Sequence, residues 1–382
     1  MRILFITRHN PFLIGGGSFA TKAYLCALNE IFSGQIDVIL GDSSKIKPLN
    51  SNNKYIQVPE RTFFQKFFGL LIYGRIHRFN PFVKRYLKDN YRDYSICVFD
   101  GSIVAGDIIE YVKFKKIKTV TFHHNVERDY FQTANKKDIY SKLEYYYIKR
   151  NESVAYKKSD INLFISSADM KKMNELYGIL QSNYVVGCFE SEKRSITKMF
   201  PKTIDSECVV LVLSGSLLSE QTHDAIMYFI KELLPTIQQK CQVIITGREP
   251  RKELIELCKL KENIILVPNP ENVDKIIQKA DIYISTTRLG SGLKLRLMDG
   301  LRNGLPILTH TISAQGYENF HQYEWFQTFS VTSEFANKLE MIIQQLKSEK
   351  IDRNEITFTY NDVFSFEAGV KRVSKFIKMI YE

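Results

Sequence analysis

The 382-residue chain lacks any apolar run approaching the roughly 18 uninterrupted residues of a membrane-spanning helix. Its start, MRILFITRHNPF, is a short apolar run closed by Arg8, His9, Asn10 and Pro11. It has no basic leader, long apolar core or small-residue cleavage site of the kind a secretory signal needs. From these absences we expect a cytoplasmic protein. The six cysteines, Cys26, Cys97, Cys188, Cys208, Cys241 and Cys258, include no C-x-x-C pair. That argues against a zinc site and against a disulfide framework, and four of the six sit in or beside apolar runs, as buried thiols do. No internal repeat or low-complexity tract is visible, which removes solenoids and linker-like proteins.

What is present is a folded globular composition, 44% hydrophobic and 25% charged, long enough for two cores. A formal net charge of +11 favours an anionic partner: a nucleotide, a nucleic acid, a phospholipid or a lipid pyrophosphate. The basic residues are dispersed and no nucleic-acid-binding module is recognisable, so nucleic acid is not expected.

Short apolar segments alternate with helix-length ones in two series, the pattern of parallel sheets flanked by helices. In the first series the expected strands are 2–7, 36–40, 96–99, 118–122, 161–165 and 184–186. In the second they are 209–214, 242–246, 264–267, 282–285 and 306–309. Residues 188–207 are polar, charged and aperiodic, and read as a linker between a domain at 1–187 and one at 208–361. A last helix within 362–382 is expected to cross back to the first domain. Residues 61–90 mix aromatic and aliphatic residues with Lys and Arg, which suits either contact with an anionic membrane or an amphipathic helix packed on its own domain.

Two glycine loops carry the chemistry. After the first strand, Gly15, Gly16 and Gly17 allow close backbone approach at a helix start, a natural anion site, with Ser18 as a candidate cap. GGGSFA formally satisfies the dinucleotide pattern G-x-G-x-x-A, and Asp42 stands where its acid is sought. The spacing fails, because seven residues separate Thr7 from Gly15 where that fold needs almost none. A loop serving turn geometry alone remains the alternative.

The second loop, TTRLGSGLKLRLMDGLRNGLPILTHTISAQGYE, follows strand 282–285. Gly290, Ser291 and Gly292 expose backbone N–H groups before a helix expected from Leu293, and Lys294 adds a full charge, so a pyrophosphate is cradled without a metal. Arg288 can offer a bidentate contact, and Asp299, on a nearby helix face, can accept from ribose hydroxyls. The plainer alternative is a basic helix with packing glycines.

This segment resembles the donor-binding signature of GT-B glycosyltransferases, most closely glycosyltransferase family four (glycosyl transferases group 1), written loosely R-x-G-x-G-x-K-x-K-x-x-E-A-x-x-x-G-x-P-V-V. The resemblance implies an α/β GT-B fold, two Rossmann-like domains with parallel sheets facing a central cleft. It implies that Gly290, Ser291, Gly292 and Leu293 meet the donor through backbone, that Lys294 neutralises the diphosphate and that Asp299 stands at the family's ribose-binding Glu. VLSGSLLSEQ is similar to the family's first strand and loop of that domain, placing Ser214, Gly215 and Ser216 beside the donor. VIITGREP is similar to its second strand, which adds Gly247 and Arg248. Ser291 departs from a common Glu, leaving the donor sugar open, and SLLSEQTH lacks the family's basic residue, for which Arg288 or Arg248 can substitute. HNVE, after strand 118–122, resembles a cleft loop. It implies that His124 faces the donor sugar, with Asn125 and Glu127 behind it or toward the acceptor, where a neutral imidazole can bond a sugar hydroxyl. Glu127 and Asp100 are the carboxylates to test first as a base, and the acceptor is expected near Arg8, Gly15, Gly16, Gly17, Asp100 and His124.

The expected activity is transfer of a hexosyl group from a nucleotide sugar to a glycan or lipid-linked saccharide acceptor, with retention and without a cofactor or metal, in surface polysaccharide synthesis. Two alternatives stay open: a sugar-nucleotide 2-epimerase, and a non-catalytic scaffold subunit of the same fold.

Overall fold

A computed structural model of the chain describes residues 2–13, 16–41, 46, 48–60, 62, 68–69, 79–106, 108–134, 139–194, 208–289 and 293–380. Of the residues singled out above, Gly15, Asp42, Gly290, Ser291 and Gly292 lie outside these, as do 195–207 and most of 61–78. Contacts divide the chain into two compact units, Met1–Arg194 with Phe364–Glu382, and Ser195–Val363.

The first unit is built on seven strands: β1 (Arg2–Thr7), β2 (Ile36–Leu40), β3 (Lys54–Gln57), β4 (Tyr94–Asp100), β5 (Lys118–His123), β6 (Ile161–Phe164) and β7 (Asn183–Val185). They pair in parallel in the order β3-β2-β1-β4-β5-β6-β7. Segments such as RILFIT and IDVIL are apolar almost throughout because both faces of the sheet are covered. On one face, Phe5, Val38, Val98 and Phe122 pack against Ala20, Tyr24 and Leu28 of the helix Gly16–Ile31 and Phe366, Val373 and Ile377 of the helix Phe366–Lys378. On the other, Leu4, Ile6, Cys97 and Phe99 meet Val83 and Leu87 of the helix Phe79–Asn90 and Ile108 and Val112 of the helix Ile108–Phe114. Each of these large apolar side chains contributes about 1.5–3 kcal/mol on burial.

The second unit has β8 (Val209–Ser216), β9 (Cys241–Arg248), β10 (Ile264–Pro268), β11 (Ile282–Ser285), β12 (Ile307–His310) and β13 (Phe326–Phe329), all parallel, in the order β10-β9-β8-β11-β12-β13. Strand order reverses between β1 and β4 in one sheet and between β8 and β11 in the other. Such switch points, at the carboxyl ends of the strands, are where open α/β sheets form ligand sites.

Several expectations are corrected. β3 and β13 are edge strands that the apolar pattern does not reveal: β3 is half-exposed, and β13 is buried only at its two ends. Residues at the head of the expected linker belong to the first core, since Phe189 is fully buried and Glu190 N donates to Phe364 O at 2.8 Å. The expected last helix is present as Phe366–Lys378, and a further helix, Arg353–Phe364, precedes it; between them Ser365 is extended and its hydroxyl accepts from Ala368 N as a cap. The described part of 61–90 buries Phe79, Val83 and Leu87 in its own unit, the amphipathic-helix alternative. Ser18 lies inside a helix that starts at Gly16, rather than capping it.

Candidate functional site

In the first unit the switch point holds a buried carboxylate. Asp100 ends β4 and is 2% exposed. Its Oδ2 accepts from the hydroxyls of Thr7, at the end of β1, at 2.7 Å and of Thr21 at 2.6 Å. Its Oδ1 lies 2.5 Å from His124 Nε2, which donates to the ionised carboxylate. Burial pushes the Asp100 carboxyl up, but His124, His9 and the Thr21 hydroxyl outweigh it and hold it below its ordinary range. Burial pushes His124 down, and Asp100, aided by Glu127, outweighs that and raises it. The carboxylate therefore favours the protonated ring more than water does for a free imidazole. Its other nitrogen, Nδ1, is buried and has no hydrogen-bond partner among the described residues.

Around this pair, the His9 ring lies edge-on to His124 at 5.9 Å and covers Gly17, where a Cβ would come within 3.0 Å of it. Tyr24 stacks on Phe122 at 3.9 Å and tilts against His124 at 5.8 Å. Gly16 and Gly17 open the helix Gly16–Ile31, and Glu127 opens the helix Glu127–Ala134 three residues beyond His124. His123 plays a different part. It stacks on Phe164 at 4.6 Å and pairs with Asn162 Oδ1 at 2.9 Å, and burial pushes its pKa down to about 4, so it is a neutral core residue.

In the second unit β8 and β9 each carry a glycine one residue before their last, Gly215 and Gly247, which face each other in register with φ of 150° and 152°. A Cβ on Gly247 would overlap the Gly215 carbonyl, so the two strand ends meet backbone to backbone. Ser214 is committed to Tyr283 OH at 2.7 Å and is buried, whereas Ser216 and Arg248 are exposed at the rim.

The loop after β11 departs from expectation in two ways. Arg288 makes its bidentate contact within the protein, to Asp224 at 3.1 and 3.3 Å, while its guanidinium lies over the Tyr228 ring at 4.2 Å. The helix starts at Arg296, not Leu293, and runs to Arg302. Its entry is a tight turn in which Leu297 N and Met298 N bond to Lys294 O and Leu295 O, and Tyr317 OH donates to Lys294 O at 3.0 Å. Gly316, at φ 89°, lets that following loop close on Leu293, whose Cδ1 would stand 2.5 Å from a Cβ there. Lys294 thus precedes the helix that carries Asp299. It is 6% exposed, and burial, with Arg296 beside it, pushes its pKa down to about 8. Asp299 accepts from Arg302 at 2.8 Å, and Arg302 also reaches Asp274 at 2.7 Å. Arg296 was not singled out from the sequence, although it holds the second basic position of the K-x-K pattern. Among the described residues, no cluster of three or more His, Cys, Asp or Glu is arranged to hold a metal ion.

Residues 208–345 match the family described as Glycosyl transferases group 1. The matched residues are a group 1 glycosyltransferase domain, on a chain of the GT-B fold. The whole chain is similar in fold to the lipopolysaccharide outer core galactosyltransferase WaaB in its apo form, with a TM-score of 0.72, 13% identity and 100% of both chains covered. It is also similar to HepE of Anabaena in complex with UDP, with a TM-score of 0.72 and 11% identity over 99% of this chain and 100% of that one. For WaaG, a glycosyltransferase involved in lipopolysaccharide biosynthesis, the TM-score is 0.66 at 14% identity, over 98% of this chain and 99% of that one. No curated protein matches the sequence. The matched residues contain β8 and β9 with Gly215 and Gly247, and Arg288, Lys294, Arg296 and Asp299, so the described loops at this switch point fall within the family match.

Proposed function

We propose that the chain transfers a hexose from a nucleoside diphosphate sugar to a glycan or lipid-linked saccharide, in glycoconjugate synthesis. The observation that carries this reading is the group 1 match over the unit in which Gly215, Gly247, Lys294 and Arg296 gather at one switch point. A hexose donor is suggested by WaaB, named as a galactosyltransferase, and by HepE, solved with UDP-glucose. In this reading the second unit holds the donor and the first the acceptor. Lys294 stabilises the charge that develops on the departing diphosphate, so no metal is required. His124, held by Asp100, presents Nδ1 to a sugar hydroxyl. Retention at the anomeric carbon is part of the proposal, on the family resemblance. The enzyme would work in the cytoplasm, at the inner face of the cell membrane.

The test is a thermal-shift screen of the full chain against UDP, GDP, ADP, CMP and dTDP and their common sugar conjugates, without and with magnesium. A saturating ligand at about 100 times its Kd adds about 2.7 kcal/mol of stability. A shift by one diphosphate and its sugar conjugate, followed by turnover of that conjugate with an acceptor glycan, is the expected result. Absence of any shift would overturn the reading.

A further inference from the structure

We propose that the first unit carries a second binding site, a polar pocket at the amino-terminal end of its sheet that takes a neutral oligosaccharide. The ligand class is read from the pocket's own lining and is independent of the nucleotide-sugar reading.

The pocket has a volume of about 710 Å³, within the roughly 300–1,000 Å³ of small-molecule sites. Arg2 at the start of β1, Asp37 in β2 and Lys54 at the start of β3 line one side. Tyr86 and Asn90 of the helix Phe79–Asn90, and Asp93 just before β4, line the other. From Arg2 to Thr7, which bonds Asp100 at the far end of β1, is roughly 17 Å of strand. The pocket is thus separate from the Asp100–His124 pair.

Its floor is a buried carboxylate. Asp37 is 4% exposed and accepts from Arg2 Nη2 at 2.5 Å and from Tyr94 OH at 2.6 Å. Burial pushes the Asp37 carboxyl up, but Arg2 and Tyr94 outweigh it and hold it below its ordinary range. Tyr94 has one hydroxyl proton and spends it on Asp37, so Tyr86 OH, 2.6 Å away, donates to Tyr94 and keeps its own lone pairs to accept. Arg2 Nη2 also donates to Asn52 O at 3.1 Å, so both contacts use one terminal nitrogen of a fork with five N–H donors. A buried ion pair adds little net stability, but this one fixes the groups at the pocket floor.

The lining selects the ligand. Arg2 and Lys54 balance Asp37 and Asp93, so a multiply charged anion gains nothing there. Gln35, Asn52 and Asn90 add amides, each pairing a donor with an acceptor in one plane. Asn90 spends Nδ2 on Tyr86 O at 2.8 Å, and its Oδ1 remains to accept. Adjacent sugar hydroxyls, each both donor and acceptor, match such groups in pairs and leave the charge balance intact. The Tyr86 ring supplies an amphipathic surface for the C–H face of a pyranose. An apolar ligand would strip water from these polar groups without replacing its hydrogen bonds.

The experiment is saturation-transfer NMR of the full chain with maltotriose, lactose and triacetylchitotriose, with a UDP thermal shift on the same samples. It compares wild type, His124→Ala and a double variant, Asn52→Ala with Asp93→Ala, whose two side chains are exposed. At least one saccharide is expected to give a saturable signal, unchanged in His124→Ala. In the double variant its affinity should fall by roughly 5–100-fold, for two hydrogen bonds lost. No saccharide signal in wild type overturns the proposal. So does a loss in His124→Ala as large as that in the double variant, which assigns the binding to the His124 site. Displacement of the saccharide by inorganic phosphate also overturns it, making the pocket an anion site. A UDP shift retained beside any of these leaves the proposed function standing.

Discussion

Asp100 Oδ1 and His124 Nε2 lie 2.5 Å apart, and the Nδ1 of the same ring is buried without a partner among the described residues. Because the carboxylate fixes one ring nitrogen, the other is oriented. Asp100→Asn is expected to lower the His124 pKa, read by NMR titration of the ring, and Asp100→Ala to destabilise the first unit by about 3–5 kcal/mol, as loss of one member of a buried pair does. The His124 contribution is fully present below its free value of 6.5 and fades as pH rises through the higher folded value. The Asp100 contribution is fully present above its free value of 3.8 and fades as pH falls through the lower folded value. The pair therefore stabilises most between pH 3.8 and 6.5, and the stability lost in Asp100→Asn should be largest in that window.

Gly247→Ala tests the contact between strand ends. The backbone there has φ 152° and the added methyl would overlap the Gly215 carbonyl. Both effects act together, and strain plus overpacking of this kind costs about 2–5 kcal/mol. We expect a lower melting temperature for the second unit and weaker nucleotide binding. An unchanged melting curve would mean that β8 and β9 separate readily at their ends.

These contacts show what sequence can carry. Central parallel strands were legible because burial on both faces makes them continuously apolar, as in VVLVL or INLF. Half-exposed KYIQ carries no such mark, and FQTF is buried only at its ends. The adjacent histidines were also legible as a pair, but not their division of labour. His123 ends β5 facing Phe164, and His124 turns to Asp100 from a strand 24 residues earlier, a relation set by sheet order. The same limit explains Arg288 and Arg296. Both matched a basic position, and only the fold reveals that Asp224 occupies one of them.

The proposed donor roles of Lys294 and Asp299 are tested by nucleotide binding. Lys294→Ala and Asp299→Ala are each expected to weaken the nucleoside diphosphate by about 1.5–3 kcal/mol, for one charged hydrogen bond lost. Lys294 has a pKa of about 8, and a bound diphosphate raises it, so binding near pH 8 should take up protons. Titration in buffers of different ionisation enthalpy reads that uptake, and affinity should fall as pH rises above 8. Proton uptake that persists in Lys294→Ala would assign it to another group.

Glu152 offers a test confined to the first unit. It is fully buried, accepting from Tyr177 OH at 2.7 Å and from Arg128 N at 3.2 Å, at the start of the helix that follows His124. Burial pushes its pKa from 4.5 up to about 7. Between those values the folded chain holds a proton that the unfolded chain has released, so stability falls as pH rises from 4.5 to 7. The whole effect is about 3 kcal/mol, taking 1.36 kcal/mol for each pH unit. Glu152→Gln removes the titration, so its melting temperature should change less across this range than that of wild type, by several degrees. At pH 8 the variant should be at least as stable as wild type, because no buried carboxylate has to ionise. Nucleotide affinity should not change, since the residues proposed to hold the donor belong to the other unit. Parallel melting profiles for variant and wild type would show that Glu152 is already ionised in the folded protein, held so by the backbone N–H groups at the helix start.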